Sequence, residues 1–241
     1  TLVFQPQLND LGEVSGAEVL CRWNNKGTPV PPDVFIAAAE ETSLIIPLGR
    51  WILQQSCLHL QRWQEQGLLP GSFRRLAVNI SPVQFMDRHF EHMIESLLQE
   101  SGLCAGRLEL EITESMFMGD KELVRSRIQR LSQLGFSFAL DDFGTGYSSL
   151  SYLQNLPLNK LKIDRSFITD IGRPEHPVPI INSIIQLGHN LHMSVIAEGV
   201  ETPEQRDYLQ QHQCHEYQGY LFSKPLPEAE FCDFLKRSQA Q

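Results

Sequence analysis

The sequence has no CxxC pair, no apolar run near the ~20 residues that a helical membrane span requires, and no excess of positive charge. Each absence removes a class of function. The five cysteines (Cys21, Cys57, Cys104, Cys214 and Cys232) are scattered and odd in number. That argues against a disulfide framework or a zinc ribbon, and it points to a reducing, cytoplasmic setting. A formal net charge of −9 repels polyanions, so neither a nucleic-acid polymer nor an anionic membrane surface is an expected partner. An anionic substrate would need a local reversal of the field, which bound divalent cations supply. "GTGYSS" fails as a dinucleotide fingerprint because Ser149 stands where the third glycine belongs. There is no P-loop, no GxSxG elbow and no secretory leader. The pairs His89/His92, His189/His192 and His212/His215 lack a third nitrogen or sulfur ligand at zinc-site spacing, and they read as surface or helix-end residues.

What is present fits a single α/β domain. The 241 residues suffice for one barrel, and 41% hydrophobic with 20% charged residues is globular composition. Eight short β-rich runs recur, at 2–8, 17–23, 75–81, 107–113, 137–142, 160–164, 193–199 and 216–222. Amphipathic stretches separate most of them. "LGRWILQQSCLHLQRWQEQG" places Trp51, Leu53, Leu58, Leu60 and Trp63 near helical spacing, and "VQFMDRHFEHMIESLLQESG" does the same for Phe85, Phe90, Met93, Ile94, Leu97 and Leu98. Alternating strand and helix predicts a parallel sheet closed as a modified (β/α)8 TIM-type barrel. Only "NDLGEVSG" joins the first two runs, too short for a parallel crossover, so the first strand is expected to be antiparallel. "NNKGTPVPPD" and "GRPEHPVP" read as loops. The chain opens inside an apparent strand without a starting methionine, so residues 1–241 are expected to be one domain of a longer protein.

The polar residues at the strand ends carry the functional signal. Residues i and i+2 share a strand face. Asn79, Glu111, Asp141, Lys162 and Glu198 therefore each lie on one face of a run near its C-terminal end, where barrels of this kind place their active sites. Closure brings Glu18, Asn79, Glu111, Asp141, Asp142 and Glu198 toward one volume. Several carboxylates in a confined space need cations to stay ionised, and oxygen-only donors suit Mg2+ or Mn2+. An aspartate pair can bridge two ions about 3.5–4 Å apart, the spacing of two-metal phosphoesterases. The glycines of "FGTG" let the backbone pass close to such a cluster. For Lys162 two readings stand side by side: a lysine of lowered pKa that orients or deprotonates water beside metals, or a partner of Asp164 in an internal salt bridge.

Eight ordered motifs make the chain resemble the EAL-domain cyclic di-GMP phosphodiesterase family. They are "FQPQ", "EVLCRW", "VNIS", "EITES", "LDDFGTGYSSLSYL", "KIDRSFI", "AEGVET" and "QGYLFSKP". The signature triplet reads Glu-Val-Leu here, with Val19 in place of alanine, and Ala37 stands where proline is common. The resemblance implies hydrolysis of cyclic di-GMP to linear pGpG with two divalent cations, Mg2+ or Mn2+. By position, it implies metal ligation by Glu18, Asn79, Glu111, Asp141 and Asp142, and water activation by Lys162 and Glu198. Gln5, Arg22, Asp164 and Gln218 match substrate-side positions, and Glu114 and Glu201 match glutamates that hold the "DDFGTGYSS" loop. It further implies a homodimer through that loop and the following helix, and a parent chain with an upstream sensor or GGDEF-type domain, soluble or anchored in the inner membrane. The rival readings are a catalytically silent EAL domain acting as a cyclic di-GMP receptor, and a different metallophosphoesterase on the same barrel.

Overall fold

The computed structural model describes residues 1–102, 105–144, 153–172 and 179–239. Its strands are β1 (Leu2–Asn9), β2 (Val14–Cys21), β3 (Trp23–Asn25), β4 (Thr28–Val30), β5 (Arg75–Asn79), β6 (Leu108–Thr113), β7 (Ser137–Phe143), β8 (Lys160–Ile163), β9 (Ser194–Ala197) and β10 (Glu216–Tyr217). Eight of them close into a barrel in the order β1-β10-β9-β8-β7-β6-β5-β2. β1 runs antiparallel to both neighbours, and the remaining pairs are parallel. The short 10–13 connection does fold as a hairpin, with Gln5 opposite Glu18.

Helices α1 (Pro32–Glu41), α2 (Ile45–Glu65), α3 (Pro82–Met86), α4 (Phe90–Ser101) and α5 (Lys121–Gln133) cover one side. Helices Pro179–Asn190, Pro203–Gln211 and Glu228–Gln239 cover much of the rest. The apolar core lies between the barrel wall and these helices. Leu76, Val78, Leu108, Leu110, Ile112, Phe138, Leu140 and Leu161 are all buried there, alternating along the strands with residues that face the barrel interior. Phe4, Trp63 and Phe231 pack edge-on and tilted, fastening β1 to α2 and to the last helix.

Four expectations are corrected. Residues 24–33 are not wholly loop, because β3 and β4 pair across Lys26–Gly27. Trp51 and Leu58 are exposed (38% and 48%) while Leu53, Leu60 and Trp63 are buried. Positions 51 and 58 share a face seven residues apart, and it is not the face of 53 and 60. The 83–102 pattern is two helices, since Asp87 is extended (ψ 134°) between them. The last run is a strand only over Glu216–Tyr217; beyond it, Gly219 presses so closely on the Val200 backbone that no Cβ fits. Two smaller readings hold. Gly67 and Gly102 take left-handed φ (65° and 62°) where α2 and α4 stop. His89 and His212 sit at helix ends.

Candidate active site

Glu18, Glu111, Asp141, Lys162 and Glu198 converge at the C-terminal end of the parallel strands. Each comes from a different strand or the residue just beyond it, so no single local motif contains more than one of them. Lys162 Nζ lies 2.8 Å from Glu111, 2.8 Å from Glu198, 3.1 Å from Asp141 and 4.0 Å from Glu18. Asn79 donates from Nδ2 to Glu18 at 2.6 Å. Gln218 donates to the other oxygen of Glu18 and to Gln5, and accepts from Gln7 at 2.9 Å. Gln5 in turn donates to the Ser223 carbonyl at 3.2 Å. Glu18 is therefore oriented by Asn79 on the neighbouring strand β5 and by Gln218, just beyond β10 on the far side of β1.

The electrostatics follow from burial against charge. Burial alone would push Lys162 down, yet the Asp141, Glu111, Glu18 and Glu198 carboxylates together hold it well above its ordinary range. The expected pairing with Asp164 is absent among the described ion pairs. Asp164 turns away to cap the helix Arg165–Ile168, accepting from the Ser166 amide at 3.0 Å. Burial pushes Glu111 well up against the pull of Lys162. It takes Glu198 to about 8, assisted by Asp141 and Glu18 and opposed by Lys162. Asp142 is raised by partial desolvation, then by Asp141 and Asp164.

Among the described residues, no three His, Cys, Asp or Glu side chains form a ready cage for a metal, since the Lys162 ammonium stands between the carboxylates. The donor set nevertheless fits a hard cation. Both oxygens of the fully buried Glu111 lack a hydrogen bond, and the Lys162 ammonium approaches one of them without hydrogen-bond alignment. The donors are oxygen throughout, from four carboxylates and the Asn79 amide.

The remaining expected residues divide. Asp142 sits at the rim with a left-handed φ of 54°, its amide donating to Asp141 at 3.0 Å. Gly144 follows at φ 97°, and a Cβ there would stand 3.0 Å from the Phe167 ring. Its amide donates to buried Glu114 at 2.9 Å, so Glu114 holds the start of the loop. Glu201 is half exposed and lies 3.5 Å from Arg165. The rest of the loop it was expected to hold, residues 145–152, lies outside the described residues. Arg22 lines the adjoining pocket, donating to the Cys21 carbonyl at 3.0 Å.

That pocket, about 620 Å³, was not foreseen. Asn79, Asp141 and Asp142 form one part of its wall, and Phe35, Ile45 and Leu48 from α1 and α2 form an apolar part. Ser81 connects the two regions, capping α3 and donating to Glu40 of α1. No sequence motif marks α1 and α2 as pocket walls, because their contributing residues are ordinary helix-face apolars.

The EAL domain family profile matches residues 1–225. The cyclic di-GMP phosphodiesterase NbdA of Pseudomonas aeruginosa is 41% identical over 227 residues, covering 93% of this chain and 28% of that protein. The cyclic di-GMP phosphodiesterase PdeR of Escherichia coli is 38% identical over 236 residues, covering 97% of this chain and 35% of that protein. This chain thus spans about a third or less of the length of these relatives. The PaMucR phosphodiesterase, solved as a c-di-GMP complex, superposes with a TM-score of 0.90 at 35% identity, over 96% of this chain and 93% of that one. With the ring of acids, the antiparallel first strand and these likenesses in agreement, the chain belongs to the EAL domain family.

Proposed function

We propose that this domain hydrolyses one phosphodiester bond of cyclic di-GMP to give linear pGpG. The reading places two divalent cations, Mg2+ or Mn2+, on Glu18, Asn79, Glu111, Asp141 and Asp142. The observation that carries it is one ammonium set among four converging carboxylates beside a pocket large enough for a nucleotide. When bound, such cations neutralise the acids, polarise the phosphoryl group and make water more acidic.

The chain's own residues do the rest. Asn79 and Gln218 fix the Glu18 carboxylate by donating to its two oxygens. Lys162 Nζ and Glu198 Oε1, in direct contact at 2.8 Å, together orient an attacking water placed beside the pair. As the water oxygen bonds to phosphorus, Glu198 takes its proton, one P–O ester bond breaks, and the departing oxygen takes a proton from solvent. Arg22 faces the phosphate with a fork suited to it. The apolar wall on α1 and α2 limits water around the reacting centre. Asp164 contributes by fixing the first turn after β8 on the substrate side.

Dimerisation through the "DDFGTGYSS" loop, a single domain across residues 1–241, a cytoplasmic setting and an upstream sensor or GGDEF-type domain in the parent belong to the same reading. The likeness to much longer phosphodiesterases supports the last of these. Incubation with cyclic di-GMP and Mg2+ or Mn2+ should yield pGpG. Binding without product would mean a receptor, and neither binding nor product would point to another phosphoester.

A further inference from the structure

One carboxylate of the pocket has no role in the chemistry above. Glu40, half-buried in the last turn of α1, lines the same cavity as Asn79, Asp141 and Asp142. Three circumstances make this an unfavourable place for an acid. The C-terminal end of a helix is the negative end of its dipole, and no basic residue lies in that last turn. The cavity already opens on the acidic ring around Lys162. None of the ion pairs among the described residues includes Glu40. Its described hydrogen bond comes from Ser81, which donates to Oε1 at 2.5 Å and also accepts from the Val83 amide. That bond fixes the carboxylate. A glutamine would brace α1 against α3 through the same hydroxyl without the charge. Oε2 accepts nothing from the described residues and is not one of their buried unpaired atoms, so it has accessible surface in the wall of the cavity.

Resting on the phosphodiesterase reading, we propose that Glu40 is a base-specificity residue, whose carboxylate accepts hydrogen bonds from N1 and N2 of one guanine. Guanine presents two adjacent donors there, the N1–H and the N2 amino group, which match the two oxygens of a carboxylate. Adenine presents a lone pair at N1, which a carboxylate repels. Ser81 engages one lone pair of Oε1 out of about four on the group, so both oxygens can still accept. Hydrogen bonds to an ionised acceptor are the stronger kind, and they offset the charge that the empty pocket leaves uncompensated. The placement suits a base. Ser81 follows Asn79 by two residues, at most about 7 Å of chain, so Glu40 sits a short step from the end where a phosphate would dock. Phe35, Ile45 and Leu48 line the cavity with it and offer apolar surface to a flat ring.

The test compares kcat/KM for cyclic di-GMP, cyclic di-IMP and cyclic di-AMP with Mg2+, in the wild-type chain and in Glu40→Gln. Hypoxanthine keeps the O6 and N1–H of guanine and lacks only the N2 amino group. The wild-type chain should favour cyclic di-GMP over cyclic di-IMP by about 10- to 100-fold. In Glu40→Gln, kcat/KM for cyclic di-GMP should fall about 10- to 100-fold, mainly through a higher KM. The preference over both analogues should narrow, and the melting temperature should equal or exceed that of wild type. Glutamine keeps the bond from Ser81, so lower stability with the base preference kept would mark a structural acid and overturn the proposal. Equal wild-type values for cyclic di-GMP and cyclic di-IMP also overturn it, and that comparison needs no variant. Where the chain binds without product, calorimetric affinities for the same three nucleotides decide the proposal in the same way. A wild-type chain that neither binds nor cleaves cyclic di-GMP overturns both this proposal and the phosphodiesterase reading, whereas cleavage with an unchanged base preference in Glu40→Gln overturns this one alone.

Discussion

Two lysines stand two residues apart on β8, both inside the barrel and both among acids, yet their surroundings differ. Lys160 pairs with Glu109 at 3.1 Å and Glu216 at 2.9 Å, and Ser137 donates to Glu109 at 3.2 Å. Lys162 faces four carboxylates. The lower layer has one ammonium for two acids and closes the base of the barrel. The upper layer carries a much larger excess of negative charge and opens on the pocket. One strand thus supplies two charge clusters, and the excess of negative charge separates them. Buried carboxylates beyond the reach of one ammonium must be protonated or meet further cations.

Removing divalent ions should break the comparison most completely. Chelation is expected to abolish pGpG formation while the far-ultraviolet circular dichroism of the barrel stays intact, and Glu18→Ala should behave likewise in the presence of ions. Next in size, Lys162→Met should lower kcat by about 10²–10⁴-fold, read as the initial rate of pGpG release. Lys160→Met sharpens the contrast. Unpairing Glu109 and Glu216 should cost about 3–5 kcal/mol of stability in a denaturant titration, with the chemistry at the other end of the barrel little changed.

The smallest effect is a slope with pH. Burial pushes Glu198 up to about 8 in the folded ring, against an ordinary value of 4.5, and Glu111 and Asp142 are also raised. Between those values the folded chain holds protons that the unfolded chain releases, so stability falls as pH rises. The melting temperature of the ion-free protein should decline from about pH 5 to pH 8. Glu198→Gln should make the decline shallower, and saturating Mg2+ should oppose it. A flat profile would mean that the acids are not sharing one buried site.

Much of this could be read from residue order. The i, i+2 rule brought Glu111, Asp141 and Lys162 to one face because strands hold side chains in strict alternation. The hairpin followed from a connection too short for a crossover. Asp164 escaped that rule, since its residue leaves the strand and caps a helix instead. The Lys160 layer was half visible. Strand alternation puts Lys160 on the face of Lys162 and Glu109 on that of Glu111, but the pairing of Lys160 with Glu216 depends on barrel closure. Glu40 gave no signal at all. On α1 it is one of two adjacent acids, and its place in the pocket exists only once Ser81, 41 residues on, is laid against it.

The closure seam has a consequence for the life of the newly made chain. β1 meets β10 through only two residue pairs, and the Gln5–Gln218 and Glu18–Gln218 bonds join positions more than 190 residues apart in the chain. A nascent polypeptide emerging from the ribosome holds Glu18 well before it gains the amide that orients it, 200 residues later in the chain. Acidic side chains that would bind ions in an unfinished barrel stay dispersed until then. The ring of acids is therefore complete only when the last strand of the domain closes the barrel.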